Sequence, residues 1–234
     1  MTEACYSVVV TGCRRGIGLA LAYRYAKNGY RVFATARCLE GSDDLKALAN
    51  HYNLVSLHAL DVSCDESINS FVRELDGQAL DLVINSAGLY GVGGSDLGYL
   101  SRQAWRQVLE VNTISPVMLT QALVANLMAG SLKVVAMLSS KVGSIADNSS
   151  GGGYYYRSSK TALNQVVKSL SIDLAAQGIK VVALHPGWVQ TEMGGPNALI
   201  STERSALGLY QVLAGVNEDK SGCFYSYEGA EIPW

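Results

Sequence analysis

Seven short apolar runs recur along the chain, separated by longer stretches with helical spacing. The runs are Tyr6–Thr11 (YSVVVT), Arg31–Ala36 (RVFATA), Leu54–Leu60, Leu80–Asn85, Lys133–Ser139, Ile179–His185 and Gly222–Ser226. Their apolar character is nearly continuous rather than alternating, the pattern of strands buried on both faces. Between them lie six segments with apolar residues three and four apart: Ile17–Lys27, Asp43–His51, Asp65–Leu75, roughly 101–129, roughly 155–177 and Thr202–Ala214. That spacing predicts helices, and Asn28–Gly29 supplies a stop signal for the first. Alternating strands and helices predict right-handed crossovers and a parallel sheet covered on both faces. The chain has no internal repeat and no linker-like segment, so one domain over residues 1–234 is the simplest organisation.

Composition narrows the possibilities. The hydrophobic fraction of 49% over 234 residues is ample for a full core and argues against disorder. A net charge of −2 without a basic stripe argues against nucleic acid as a partner. The five cysteines lack any CxxC spacing, which argues against a disulfide framework or a metal site and for a reducing compartment. The opening MTEACYSVVVTG enters a strand without the pattern of a leader segment. No apolar run approaches a membrane span in this reading, and a cytoplasmic location is expected.

The first strand ends in TGCRRGIG, Thr11 to Gly18, with Gly12, Gly16 and Gly18 at a strand-to-helix turn. In a parallel α/β sheet this is where a dinucleotide pyrophosphate meets free helix N–H groups and a favourable dipole. Glycines allow the tight turn and the close approach, with Ile17 between them. The sheet is therefore expected to be doubly wound, of the Rossmann type, with seven mostly parallel strands.

The end of the second strand governs the cofactor. An acid there would bind both ribose hydroxyls of NAD, whereas NADP needs a cation. FATARC offers Arg37, with no carboxylate from Arg31 to Cys38, and Arg14 and Arg15 lie in the glycine loop. A guanidinium suits a phosphate dianion. NADP(H) is expected in preference to NAD(H). Asp61 and Val62 end the third strand; Asp61 either accepts from an adenine amino group or caps a turn. NSAG, with Asn85, Ala87 and Gly88, ends the fourth strand, where small residues let a cofactor lie flat.

Two tyrosines have a lysine four positions on, Tyr23 (with Lys27) and Tyr156 (with Lys160), so this spacing alone does not pick an acid. Order and position do. TGCRRGIG, NSAG, the Ser139–Ser140 pair, YRSSK and HPGWVQT follow the order found in the short-chain dehydrogenase/reductase family, and the chain resembles that family over essentially its whole length. HPGWVQTEMGGP, the YYYRSSK segment and the closing EIPW resemble the subgroup of C-factor and sniffer-type carbonyl reductases.

The resemblance implies a catalytic set of Ser140, Tyr156, Lys160 and Asn112. Tyr156 would give a proton to a carbonyl oxygen as hydride reaches carbon. Lys160 would lower its pKa and hold the nicotinamide ribose, and Tyr156 borders that ribose too. A drop of about 3 units from the ordinary tyrosine value requires about 4 kcal/mol. Ser140 would polarise the carbonyl; sixteen positions separate it from Tyr156, more than the family's usual count, with the surplus assigned to ADNSSGGG. Ser144 fits the shorter count but lies past the strand end. Asn112 would kink its helix and hold a water in a proton relay. Pro186, Gly187, Val189 and Thr191 would hold the nicotinamide half. Tyr154 either lines the substrate pocket or packs, and Trp188 and Met193 either border the substrate or pack their loop. His185 reads as a strand-end residue. No metal is expected. The resemblance also implies a homodimer or homotetramer, a small carbonyl or alcohol as substrate, and, through C-factor, an alternative role as a dinucleotide-binding signalling protein.

Overall fold

The computed structural model describes residues 5–91 and 95–234; residues 1–4, part of the opening segment, and 92–94 lie outside it. Seven strands form one sheet: β1 (Ser7–Val10), β2 (Arg31–Ala36), β3 (Val55–Ala59), β4 (Leu82–Asn85), β5 (Val134–Leu138), β6 (Lys180–His185) and β7 (Phe224–Ser226). Their order is β3-β2-β1-β4-β5-β6-β7, and every pairing is parallel. The order reverses between β1 and β4, so the carboxyl ends of these strands open a crevice at the switch point.

The helices are α1 (Gly16–Lys27), α2 (Asp43–His51), α3 (Asp65–Leu75), α4 (Arg102–Leu109), α5 (Ser115–Ala129), α6 (Tyr154–Asp173) and α7 (Thr202–Ala214). Two apolar layers result. One face of the sheet packs Val8, Val10 and Ile84 against Leu21, Tyr25 and Leu209. The other packs Val9, Val83 and Val135 against Leu119, Leu123, Leu163 and Val167. The inner strands are buried along their length, as continuous apolar runs predict. Strand β3 departs from that: only Val55 is fully buried, because β3 is an edge strand.

The stretch predicted as one long helix is continuous but not uniform. A π-helical segment, Glu110–Ile114, joins α4 to α5 and carries Asn112. Pro116 follows without a turn, in the first residues of α5. Arg102–Ala129 is 28 residues long and apolar enough by composition to cross a membrane, which corrects the expectation that no such run exists. In this fold its Leu119, Leu123 and Leu127 are buried in the second apolar layer.

Before α6 the backbone takes three consecutive residues with positive φ: Gly151 (65°), Gly152 (65°) and Gly153 (57°). An L-side chain there would carry its Cβ toward its own carbonyl oxygen, at roughly 1–2 kcal/mol per residue. The glycine run thus sets where α6 starts, two residues before Tyr156.

Candidate active site

Four strand ends bring the predicted residues together. At β1 the turn is so tight that a Cβ on Gly18 would lie 2.5 Å from the Gly12 carbonyl oxygen. Gly12 (φ 72°) abuts β4's extension, where a Cβ would come within 3.0 Å of Ala87 Cα. Thr11 Oγ1 accepts from the N–H groups of Ser86 and Ala87, fixing NSAG beside the glycine loop. Thr191, from the loop after β6, packs over Gly16 at 3.3 Å from its virtual Cβ. Gly88 faces both Asn112 Oδ1 and Lys160 Nζ, at 3.3 and 3.8 Å from its virtual Cβ.

This cradle fits a dinucleotide. Helix α1 opens with no side chain capping its N-terminal N–H groups and no acid in its first turn, leaving donors for a phosphate. Asn85 Nδ2 is buried and has no partner among the described residues, and Ile17 packs inward to seat the loop. Arg37 is exposed just past β2, near enough to Asp61 to help hold its carboxyl below the usual range, after the Ser63 hydroxyl bond. Arg14 lies along the loop after Arg37, 3.5 Å from the virtual Cβ of Gly41.

Arg15 pairs with Glu192 at 2.8 Å, an exposed bridge between the glycine loop and the loop after β6. Asp61 caps a turn, its Oδ1 accepting from Ser63 N–H (3.0 Å) and Oγ–H (2.6 Å). Val62 packs against the second apolar layer. Pro186 O accepts from Ser205 Oγ, and Gly187 has φ 88°, where a Cβ would also strike Ile200 at 2.6 Å. Val189 bridges Ile200, closing the 188–200 loop on itself. Trp188 Nε1 donates to Gly194 O inside that loop, yet Trp188 and Met193 remain 50% and 48% exposed.

The tyrosine run separates cleanly. Tyr155 is buried, and its hydroxyl accepts from Ser101 N–H. Tyr154 packs toward Trp105, 6.4 Å between ring centroids. Tyr156 is half-buried, with Ser140 near enough to favour its ionisation. The paired serine, Ser139, is buried and donates to Asn164 Oδ1, pinning α6 to β5. Ser144 is also buried and accepts from Asp147 N–H. Tyr23 sits half-exposed on α1, away from these strand ends.

The expected lowering of the tyrosine pKa is not present in the protein alone. Tyr156 is pushed up to about 12, first by burial and then by Tyr90, with Ser140 opposing. Lys160 Nζ lies 5.5 Å from the Tyr156 ring centroid and donates to Leu138 O at 2.7 Å. Burial pushes that ammonium down to about 7, so it carries only part of the charge the expectation assumed. Asn112 is buried on the π-helical segment, and its side chain clamps the backbone of Leu89: Oδ1 accepts from Leu89 N–H and Nδ2 donates to Leu89 O, each at 2.7 Å. Nδ2 also donates to Ser159 Oγ. His185 is a strand-end residue held down to about 4, mainly by burial.

The family model for short chain dehydrogenases matches residues 6–199. The chain belongs to the short-chain dehydrogenase family. Among curated relatives, C-signal of Myxococcus xanthus is 42% identical over 167 residues, 71% of this chain and 100% of that protein. Among solved structures, the carbonyl reductase Sniffer of D. melanogaster has a TM-score of 0.92 at 30% identity, covering 98% of this chain and 100% of that one. The NADPH-bound carbonyl reductase from chicken fatty liver also has 0.92, at 32% identity, covering 98% and 99%.

Lys160 yields a pH prediction for this family member without cofactor. The unfolded chain keeps the lysine proton up to its ordinary 10.5, while the folded chain sheds it near 7. Between those values the unfolded state binds more protons, so stability rises with pH, by at most about 1.4 kcal/mol per unit. Below pH 7 the full cost of the buried charge remains. The melting temperature of wild type relative to Lys160→Met should therefore climb from pH 7 to 9; a constant difference would mean the lysine stays charged.

Sequence reasoning missed Tyr90. Its ring lies 5.0 Å from that of Tyr156, tilted by 34°. The signal was its place two residues after NSAG, at the end of β4.

Proposed function

We propose that this protein is an NADPH-dependent carbonyl reductase, reducing a ketone or aldehyde to an alcohol. The observation that carries the reading is the convergence of Ser140, Tyr156 and Lys160 beside a glycine cradle with free helix N–H groups. Bound NADPH supplies the hydride. Arg37 and Arg14 hold its 2′-phosphate, and the Gly12–Gly18 loop takes the pyrophosphate. Lys160 and Thr191 hold the nicotinamide half. Ser140 orients the carbonyl and donates to its oxygen as negative charge develops there. Tyr156 transfers its phenolic proton to that oxygen. Lys160, beside the ring, favours the phenolate left behind, and solvent restores the proton along a relay past Asn112. Positioning in the crevice supplies much of the rate. The whole chain serves as one dinucleotide-binding domain, in the cytoplasm, where its five free thiols stay reduced.

The test is NADPH oxidation at 340 nm by purified protein with a panel of aldehydes, ketones and diketones. Turnover supports the reading. Its absence despite NADPH binding favours the second reading, a dinucleotide-binding signalling protein, to which the likeness to C-signal over that protein's full length gives weight.

We further expect a homodimer or homotetramer built on α5 and α6. Leu163 and Val167 are committed to the core, leaving Ile114, Met128 and Ile172 as exposed apolar residues near those helices. Light scattering should read the mass of two or four chains; a single-chain mass would sink the expectation.

A further inference from the structure

Tyr90 is 51% exposed, and its ring lies 5.0 Å from that of Tyr156. A large half-exposed aromatic beside a proton donor is an unusual use of apolar surface unless something flat completes its burial. Its backbone is held on both sides. The preceding Leu89 has both its N–H and its C=O clamped by the Asn112 amide. The following Gly91 has φ 102°, and a Cβ there would lie 3.1 Å from Tyr155 and 3.2 Å from Val108. The backbone that carries the ring is therefore packed on both sides before any ligand arrives, which reduces the cost of ordering it on binding.

We propose that Tyr90 is a specificity-determining residue: an aromatic wall that stacks against the substrate next to Tyr156 and selects carbonyls carrying an aryl group on the carbonyl carbon. This deepens the reductase reading above and rests on it. An offset aromatic pair gains from ring quadrupoles in addition to burial, an advantage a saturated ring of the same size lacks. Substitution of Tyr90 also changes the surroundings of the Tyr156 ring, so absolute rates would change. The ratio between two substrates removes that effect.

The experiment compares kcat/KM for acetophenone and cyclohexyl methyl ketone, with NADPH, in wild type, Tyr90→Phe and Tyr90→Leu. Wild type should favour the aryl ketone. Tyr90→Leu should cut that preference roughly 2- to 12-fold, mainly through KM, while Tyr90→Phe keeps it. An unchanged ratio in Tyr90→Leu overturns the assignment. Should neither ketone turn over in wild type, the wall is still tested by binding, separately from the reductase reading, which the wider substrate panel decides. Saturation-transfer NMR then measures binding of 1-phenylethanol against 1-cyclohexylethanol with NADP present. An aryl preference lost only in Tyr90→Leu supports the wall; no binding, or equal preference in all three proteins, overturns it.

Discussion

Tyr156→Phe should lower kcat for carbonyl reduction by about 10²–10⁴-fold while leaving NADPH affinity nearly unchanged. The substitution removes one oxygen. The ring that packs against Tyr90, and over which Lys160 Nζ sits at 5.5 Å, remains. Ser140 also remains to hold the carbonyl, but the alkoxide formed on hydride arrival has no phenol from which to take a proton. Steady-state kinetics beside nicotinamide fluorescence separate the two quantities. Retention of a tenth or more of the wild-type kcat would remove Tyr156 from the proton-donor role. A parallel loss of NADPH binding would mean instead that the hydroxyl holds the cofactor.

The second large effect is on cofactor choice. Arg37→Asp should cut the kcat/KM ratio of NADPH to NADH by about 100-fold. A charge-assisted hydrogen bond contributes about 1.5–3 kcal/mol, roughly 10- to 150-fold, and the new carboxylate repels the phosphate as well. Arg37 stands just past the end of β2, in the electrostatic range of Asp61, with Arg14 along the adjoining loop. The aspartate would face the position where two ribose hydroxyls need an acceptor, so NADH use should improve in absolute terms. Equal use of the two cofactors by wild type would remove the premise, and an unchanged ratio in the variant would remove Arg37 from the phosphate site.

The sheet was legible because burial on both faces leaves a direct mark, a run such as SVVV or VVAML with no polar alternation. The edge strand β3 was the exception, and its mixture of Ser56 and His58 reflects its one-sided exposure. The glycine cradle was legible for a different reason: no residue with a Cβ fits at Gly18, where that atom would lie 2.5 Å from the Gly12 carbonyl oxygen. Side-chain partners were not. Nothing in the sequence says that Arg15 would reach Glu192, or that Asn112 would spend its amide on the Leu89 backbone. Those pairings depend on how loops from different strands meet. The pKa directions were the least legible. The four-residue spacing puts Lys160 beside Tyr156, but burial is the largest cause of both shifts.

The glycine run Gly151–Gly153 carries a consequence for mutational tolerance. Exposed loop positions ordinarily accept almost any residue, and solvent contact is the usual guide to where a chain can be altered. Here the chain reverses its hand for nearly a full turn just before the helix that carries Tyr156 and Lys160. Open room, as at Gly151, is therefore no licence for substitution, since each residue's own chirality is an obstacle even where no neighbour is, and at Gly152 Asp96 adds one, 3.1 Å from where a Cβ would lie. A mirror-image alanine, built in by chemical synthesis, would sit there comfortably where its natural counterpart would not.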